Sequence, residues 1–170
     1  SPAAARANDA EIRVLMERPA VKAALNHLGE QYDRMVQDLE TITEIPAPTF
    51  KEQARAKYMA ERFRELGLKD VHLDEEGNAV GVRPGSGNGP VLAVAAHLDT
   101  VFPEGTDTEV KKKGTLYSAS GISDDSHGLA EMLAVVRALE AAKVRTRGDI
   151  IFVADVGEEG LGNLRGIRYL

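Results

Sequence analysis

Residues Val91–Val101 read VLAVAAHLDTV, an unbroken apolar run to Ala96 followed at once by His97-Leu98-Asp99-Thr100-Val101. A short apolar run without alternation fits a strand buried on both faces, as in a parallel sheet, although a buried helical segment would look the same. Open α/β sheets place their chemistry in the crevice at the carboxyl ends of the strands. An imidazole and a carboxylate two residues apart therefore fall where such a sheet works. On this reading His97 is a metal ligand and Asp99 is the group that orients it.

The segments on the C-terminal side extend that reading. Ala119–Leu129, ASGISDDSHGL, runs into an amphipathic pattern with Leu129, Met132, Leu133, Val136 and Leu139 at helical spacing. Asp149–Asp155, DIIFVAD, is a second apolar strand and ends in Val156-Gly-Glu-Glu-Gly160. Strand 91–96, helix 126–142 and strand 149–155 predict a right-handed βαβ unit. Such a unit brings the ends of both strands to one edge of the sheet.

The N-terminal side reads as helices that cover this sheet. Asn8 with Glu11 fits a capping box, followed by a short helix, a break near Pro19 and a longer helix to about Ile42. Residues 1–7 are rich in small side chains and are expected to be disordered, or a remnant of an export signal's cleavage region. Pro46 and Pro48 end the long helix, and Thr49 with Glu52 forms a second capping box. The helix that follows, to about Leu66, should turn Ala54, Tyr58, Met59, Phe63 and Leu66 inward, with Gly67 as its C-cap. Short strands are expected near Asp70–Leu73 and Ala79–Arg83. Pro84–Pro90, PGSGNGP, leads into a strand and not a helix, which argues for a hairpin turn over a dinucleotide loop. Lys111-Lys112-Lys113 reads as a solvated turn.

Composition narrows the chemistry. The chain has 170 residues, a net charge of −6 and no cysteine. The acidic balance disfavours nucleic acid and anionic membrane as partners. No run has the length of a transmembrane helix. Without cysteine, any transition-metal site must draw on four histidines and 27 carboxylates.

Three clusters fall at expected strand or loop ends: His97/Asp99, Asp124/Asp125 and Glu158/Glu159. Oxygen and imidazole donors suit zinc, manganese or cobalt. Each cluster alone has a plain explanation: a polar pair ending a strand, an N-cap for the next helix, a solvated loop. His27, His72 and His127 are read as ordinary helix or surface histidines.

Together the motifs carry a resemblance. HLDTV at 97–101, GISDDSHG at 121–128 and GEEG at 157–160 resemble three successive motifs of the zinc-dependent exopeptidase and deacylase family. That family includes carboxypeptidase G, peptidase T, acetylornithine deacetylase, succinyl-diaminopimelate desuccinylase and aminoacylase. The resemblance covers roughly residues 30 to 170. It implies an α/β fold, a three-layer αβα sandwich on a mostly parallel mixed sheet. It implies two Zn2+ ions per complete site, with Co2+ or Mn2+ as substitutes. His97 would bind one ion, Asp124 would bridge both and Glu159 would bind the second. Asp99 would hold His97, Asp125 would follow Asp124 across a cis peptide, and Glu158 would be the general base that takes a proton from the attacking water. His127 stands where many members carry lysine or glycine, which leaves the subfamily open.

The implied reaction is hydrolysis of an amide bond in a small peptide or N-acyl amino acid. The rival reading is a non-catalytic homologue that serves as a binding or assembly module. The family's remaining ligands and its inserted lid domain are not found among these residues, so the chain reads as the N-terminal portion of a catalytic domain. An uncovered apolar edge would then favour association between copies. By this reading, calorimetric titration of the 170-residue chain with Zn2+ should show weak binding and no turnover; tight uptake of two ions would contradict it.

Overall fold

The computed structural model describes the backbone from Pro2 to Leu170 and the side chains from Asp9 onward. Four helices come first: α1 (Pro2–Met16), α2 (Pro19–Glu30), α3 (Tyr32–Thr43) and α4 (Gln53–Glu65). Strands β1 (Lys69–Leu73), β2 (Ala79–Arg83) and β3 (Leu92–His97) follow, then a short ribbon of β4 (Lys111–Lys113) and β5 (Leu116–Ser118). Helix α5 (His127–Ala141), strand β6 (Ile150–Asp155) and a terminal turn of helix α6 (Arg165–Tyr169) complete the chain.

The main sheet has the order β1-β2-β6-β3. Strands β3 and β6 are parallel, from Leu92 opposite Ile150 to His97 opposite Asp155, and α5 connects them. Strand β2 runs antiparallel to both β6 and β1. Three of the four strands thus share one direction and β2 opposes them. This is the expected α/β mixed sheet, although two of its three pairings are antiparallel. The β3–β6 register sets His97 beside Asp155 at the carboxyl edge.

The core lies where α3, α4 and α5 meet one face of the sheet. Ile150, Phe152 and Ala154 alternate along β6 and so point to that face, where they join Ile42, Met59, Phe63, Leu129 and Leu133. These side chains are almost completely shielded from solvent, so burial of apolar area carries most of the stabilisation.

Several expectations need correction. Strand β3 is not buried on both faces: it is the sheet edge, and Val91 and Leu92 are more than half exposed. Helix α1 begins at Pro2, ahead of the Asn8/Glu11 box, because the alanine-rich start is itself a strong helix former. Ser1 lies outside the described residues. The long helix expected to Ile42 is two, divided at Gln31, whose backbone (φ −101°, ψ 19°) leaves the helical range. In α4, Ala54 is exposed, while Ala56 and Ala60 join the core. Arg55 is also fully buried there, and its guanidinium donates to the carbonyls of Ile45 and Leu98 at 2.6–2.9 Å. Those acceptors make a buried cation tolerable.

The segment 84–90 is not a hairpin turn. Strand β6 lies between β2 and β3, so the segment crosses the end of β6. It packs so closely on the 146–148 backbone that a Cβ at Gly148 would come 1.8 Å from the Pro90 carbonyl oxygen. The lysine run forms β4 of the ribbon, with all three residues exposed. A Gly148→Ala change has no space to occupy without moving backbone, so it should destabilise the fold by about 1–3 kcal/mol. Urea unfolding of the two proteins measures this; an unchanged midpoint would contradict the packing described.

Candidate metal centre at the carboxyl edge of the sheet

His97 ends β3 and is held at three points. Its backbone N–H donates to Asp125 Oδ2 at 3.2 Å. Its Nδ1 lies 2.9 Å from the main-chain carbonyl oxygen of Asp99, and its Nε2 lies 2.9 Å from Asp124 Oδ1. A carbonyl can only accept, so Nδ1 carries a proton and Nε2 is the atom available to a metal. The Asp99 carboxylate stands off at 3.7 Å. The orienting contact is thus mainly Asp99's backbone, whereas the sequence reading assigned it to the carboxylate.

That carboxylate is engaged elsewhere. Asp99 is fully buried and accepts from the backbone N–H groups of Glu158 (2.9 Å) and Glu159 (3.0 Å) and from the Thr49 hydroxyl (3.0 Å). Burial works against its charge, but the His97 contact, these N–H groups and Thr49 outweigh it, and its pKa falls to about 2. The Thr49/Glu52 capping box therefore does not form. Thr49 serves Asp99, and Glu52 accepts from Phe50 N–H at 3.0 Å and from Arg165 Nη2 at 2.9 Å through both carboxylate oxygens.

Asp124 and Asp125 sit in the π-type turn Ile122–Ser126 that leads into α5, and the peptide between them is cis. The two carboxylates do different jobs. Asp125 accepts from Gly128 N–H at the start of α5 (3.0 Å) as well as from His97 N–H, so it ties helix to strand. The Asp124 side chain is 73% exposed and, among the described residues, reaches only His97.

The Gly157–Gly160 loop is braced from below. The Asn78 side chain donates to the Gly166 carbonyl (3.0 Å) and accepts from Val156 N–H (2.9 Å). Arg165 fills the space beneath Gly157, where a Cβ would come 1.9 Å from Nη1, and it stacks on the Phe50 ring at 4.7 Å. Gly157 has φ +67°, a conformation that suits glycine.

The donor set fits a divalent cation. One ligand atom each from His97, Asp124 and Glu159 lie within 4.8 Å of one another. Six carboxylates at or near this edge (Asp99, Asp124, Asp125, Asp155, Glu158, Glu159) face a single imidazole, and their protonation reflects the crowding. Burial raises the Asp155 pKa to about 6 against the pull of His97. Burial, then the nearby Asp124 charge, raises Glu159. Burial lowers His97, but Asp99, Asp125 and Asp124 overcome it and raise its pKa to about 9. A cation held by His97, Asp124 and Glu159 would relieve this excess of negative charge.

The sequence-derived residues thus divide. His97, Asp124 and Glu159 cluster, Asp99 lies beneath them, and Glu158 is exposed at the rim. His127 is on the first turn of α5, 3.7 Å from Glu131, and takes no part. Sequence reasoning missed Thr49, Asn78, Arg165 and Asp155. Asp155 had a signal, as the last residue of a strand expected to end at this edge.

Comparison with known proteins agrees with the motifs. Residues 93–170 match the peptidase family M20/M25/M40. The chain is 32% identical over 126 residues to a LysW-lysine hydrolase of Deinococcus radiodurans, covering 74% of this chain and 33% of that protein. It is similar to a tripeptidase from Staphylococcus aureus, with TM-score 0.63, 29% identity, and coverage of 74% of this chain and 36% of that one. It also shares its fold with a dinuclear metal-binding M20 peptidase of Bacillus subtilis, with TM-score 0.58, 18% identity, and 76% and 36% coverage. The chain spans about a third of the length of these relatives.

The pKa directions fix a pH dependence for the metal-free chain. His97 is raised from 6.5 to about 9, so its stabilising contribution is complete below about 6.5 and disappears as pH rises through 9. Asp99 is lowered from 3.8 to about 2, so its contribution is complete above 3.8 and disappears as pH falls through 2. The imidazole C–H resonances of His97 should titrate near pH 9, and His97→Gln should remove the loss of stability between pH 6.5 and 9. A midpoint near 6.5 would contradict the contacts assigned to the ring.

Proposed function

We propose that this chain, whose residues 93–170 match the peptidase family M20/M25/M40, is part of a metal-dependent hydrolase of that family that cleaves the amide bond of a small peptide or N-acyl amino acid. The observation that carries this is the convergence of His97, Asp124 and Glu159, with Glu158 beside them and its carboxylate in no hydrogen bond among the described residues. The tripeptidase and the LysW-lysine hydrolase support the substrate class, since both names describe hydrolysis at small amino-acid or peptide groups. The Bacillus subtilis relative supports a pair of metal ions. Zinc is the ion this nitrogen and oxygen set suits best, with cobalt and manganese as substitutes.

His97 Nε2 and Glu159 would each hold one ion, and Asp124, exposed between them, would serve both. The ions, when bound, supply Lewis-acid polarisation of the carbonyl and of the attacking water. The chain's own residues do the rest. The Nδ1–H contact to the Asp99 carbonyl keeps His97 in one tautomer with Nε2 toward the site. The Asp99 carboxylate fixes the backbone of Glu158 and Glu159, so two adjacent carboxylates are presented at a defined place. One is committed to the cation. The other, Glu158, is free to take a proton from water and deliver it to the leaving nitrogen. Exopeptidase or deacylase action, and carboxypeptidase polarity in particular, is a finer reading that rests on the motif resemblance.

The test uses the protein that carries this chain, assayed on dipeptides, tripeptides and N-acetyl amino acids with and without chelator. Turnover should disappear with chelator and return with Zn2+ or Co2+. Glu158→Gln should lower kcat by about 10²–10⁴-fold while metal content stays unchanged. Absence of chelator-sensitive turnover on every substrate would favour a non-catalytic binding module.

A further inference from the structure

At the opposite end of the sheet lies a second polar site. Arg83 ends β2 and pairs with Ile150, the first residue of β6, whereas the metal-ligand cluster begins beyond Asp155 at the other end. Five strand steps separate the two, about 16 Å. A cavity of about 360 Å³ opens there, walled by Lys69 from β1, Arg83 from β2, Ser86, and Arg145 and Thr146 from the connection between α5 and β6.

The wall is built of donors with unused capacity. Arg83 is 8% exposed, yet it is only partly satisfied. Its Nε donates to Glu140 (2.6 Å) and its Nη2 to the Val144 carbonyl (2.5 Å), but its buried Nη1 has no partner among the described residues. The Thr146 hydroxyl is buried and equally without a partner. Buried polar groups are nearly always paired, so two orphans on residues that line one cavity point to an acceptor bound beside them. Lys69 and Arg145 are exposed at the cavity and enter no ion pair among the described residues. Glu140 is the cavity's single carboxylate, and Arg83 neutralises it, so Lys69 and Arg145 leave the site with an excess of two positive charges. In a chain of net charge −6, that is a marked local reversal.

We propose that this cavity binds a small phosphate-class anion, free or as a compact monoester. Guanidinium and ammonium donors recognise such oxyanions by charge-assisted hydrogen bonds. A carboxylate offers two oxygens in one plane. The donors here come from three separate segments, and a tetrahedral group with oxygens pointing in several directions satisfies more of them. The volume is at the small end of ligand sites, and the polar walls exclude an apolar occupant. The anion bridges β1, β2 and the loop that feeds β6. The site owes nothing to the metal reading.

The test is a ¹⁵N-resolved NMR titration of the full chain with inorganic phosphate, at ionic strength held constant with sodium chloride. Saturable shifts are expected at Lys69, Gly85, Ser86, Arg145 and Thr146, with His97 and Asp124 unmoved. The double variant Lys69→Gln/Arg145→Gln changes two exposed, unpaired residues, so it should fold normally and bind phosphate about tenfold more weakly or worse. Arg83→Lys, which keeps the charge but removes the fork, should also weaken binding. Non-saturating shifts, equal affinity in the double variant, or succinate bound as tightly as phosphate would each overturn the proposal.

Discussion

A buried carboxylate holds the working edge of this protein together. Asp99 has no exposed surface, and an unpaired carboxylate in that position would be untenable. It is stable because three donors from distant parts of the chain converge on it: Thr49, Glu158 N–H and Glu159 N–H. The same residue's carbonyl fixes the His97 ring. One residue therefore aligns the end of β3 with the loop after β6 and with the turn before α4. Hydrogen bonds inside a low-dielectric core are directional and expensive to leave unmade, so such a node specifies geometry more sharply than apolar packing does.

The rest of the fold keeps that node rigid and leaves its surroundings anionic. Arg55 ties the Leu98 carbonyl, between His97 and Asp99, to the segment at Ile45. Asp125 pins His97 to the start of α5, and Asn78 with Arg165 supports the loop that carries Glu158 and Glu159. What remains at the surface is Nε2 of His97, in contact only with Asp124 among the described residues, together with the carboxylates of Glu158 and Glu159. Burial, with a smaller contribution from neighbouring carboxylates, raises the pKa values of Asp155 and Glu159. Several carboxylates fixed around one imidazole suit the cation site proposed above.

Much of this was legible in the chain. The apolar runs at 91–96 and 149–155 and the helical spacing from Leu129 to Leu139 predicted the βαβ unit, because burial enforces periodicity. The three acidic or imidazole motifs predicted which loops would meet, because a parallel register leaves strand ends on one edge. Local signals did worse where tertiary contacts competed. Thr49 and Glu52 have the spacing of a capping box, but Asp99 and Arg165 are stronger partners for them than the first turn of α4. Arg55 reads as a surface residue by composition and is fully buried, because the carbonyls that satisfy it come from other segments. Apolarity made β3 look like a central strand, but its position in the order of strands is not encoded locally, and it lies at the edge. The division of labour between Asp99's carbonyl and carboxylate could not be read from residue types at all.

The central claim is that His97, Asp124 and Glu159 form one cation site. Crystals of the protein that carries this chain, grown with zinc and measured on either side of the zinc absorption edge, test it most directly. The account predicts anomalous peaks bounded by His97 Nε2 and the carboxylates of Asp124 and Glu159. Zinc located away from these three side chains, or an empty map at this edge of the sheet, would contradict it.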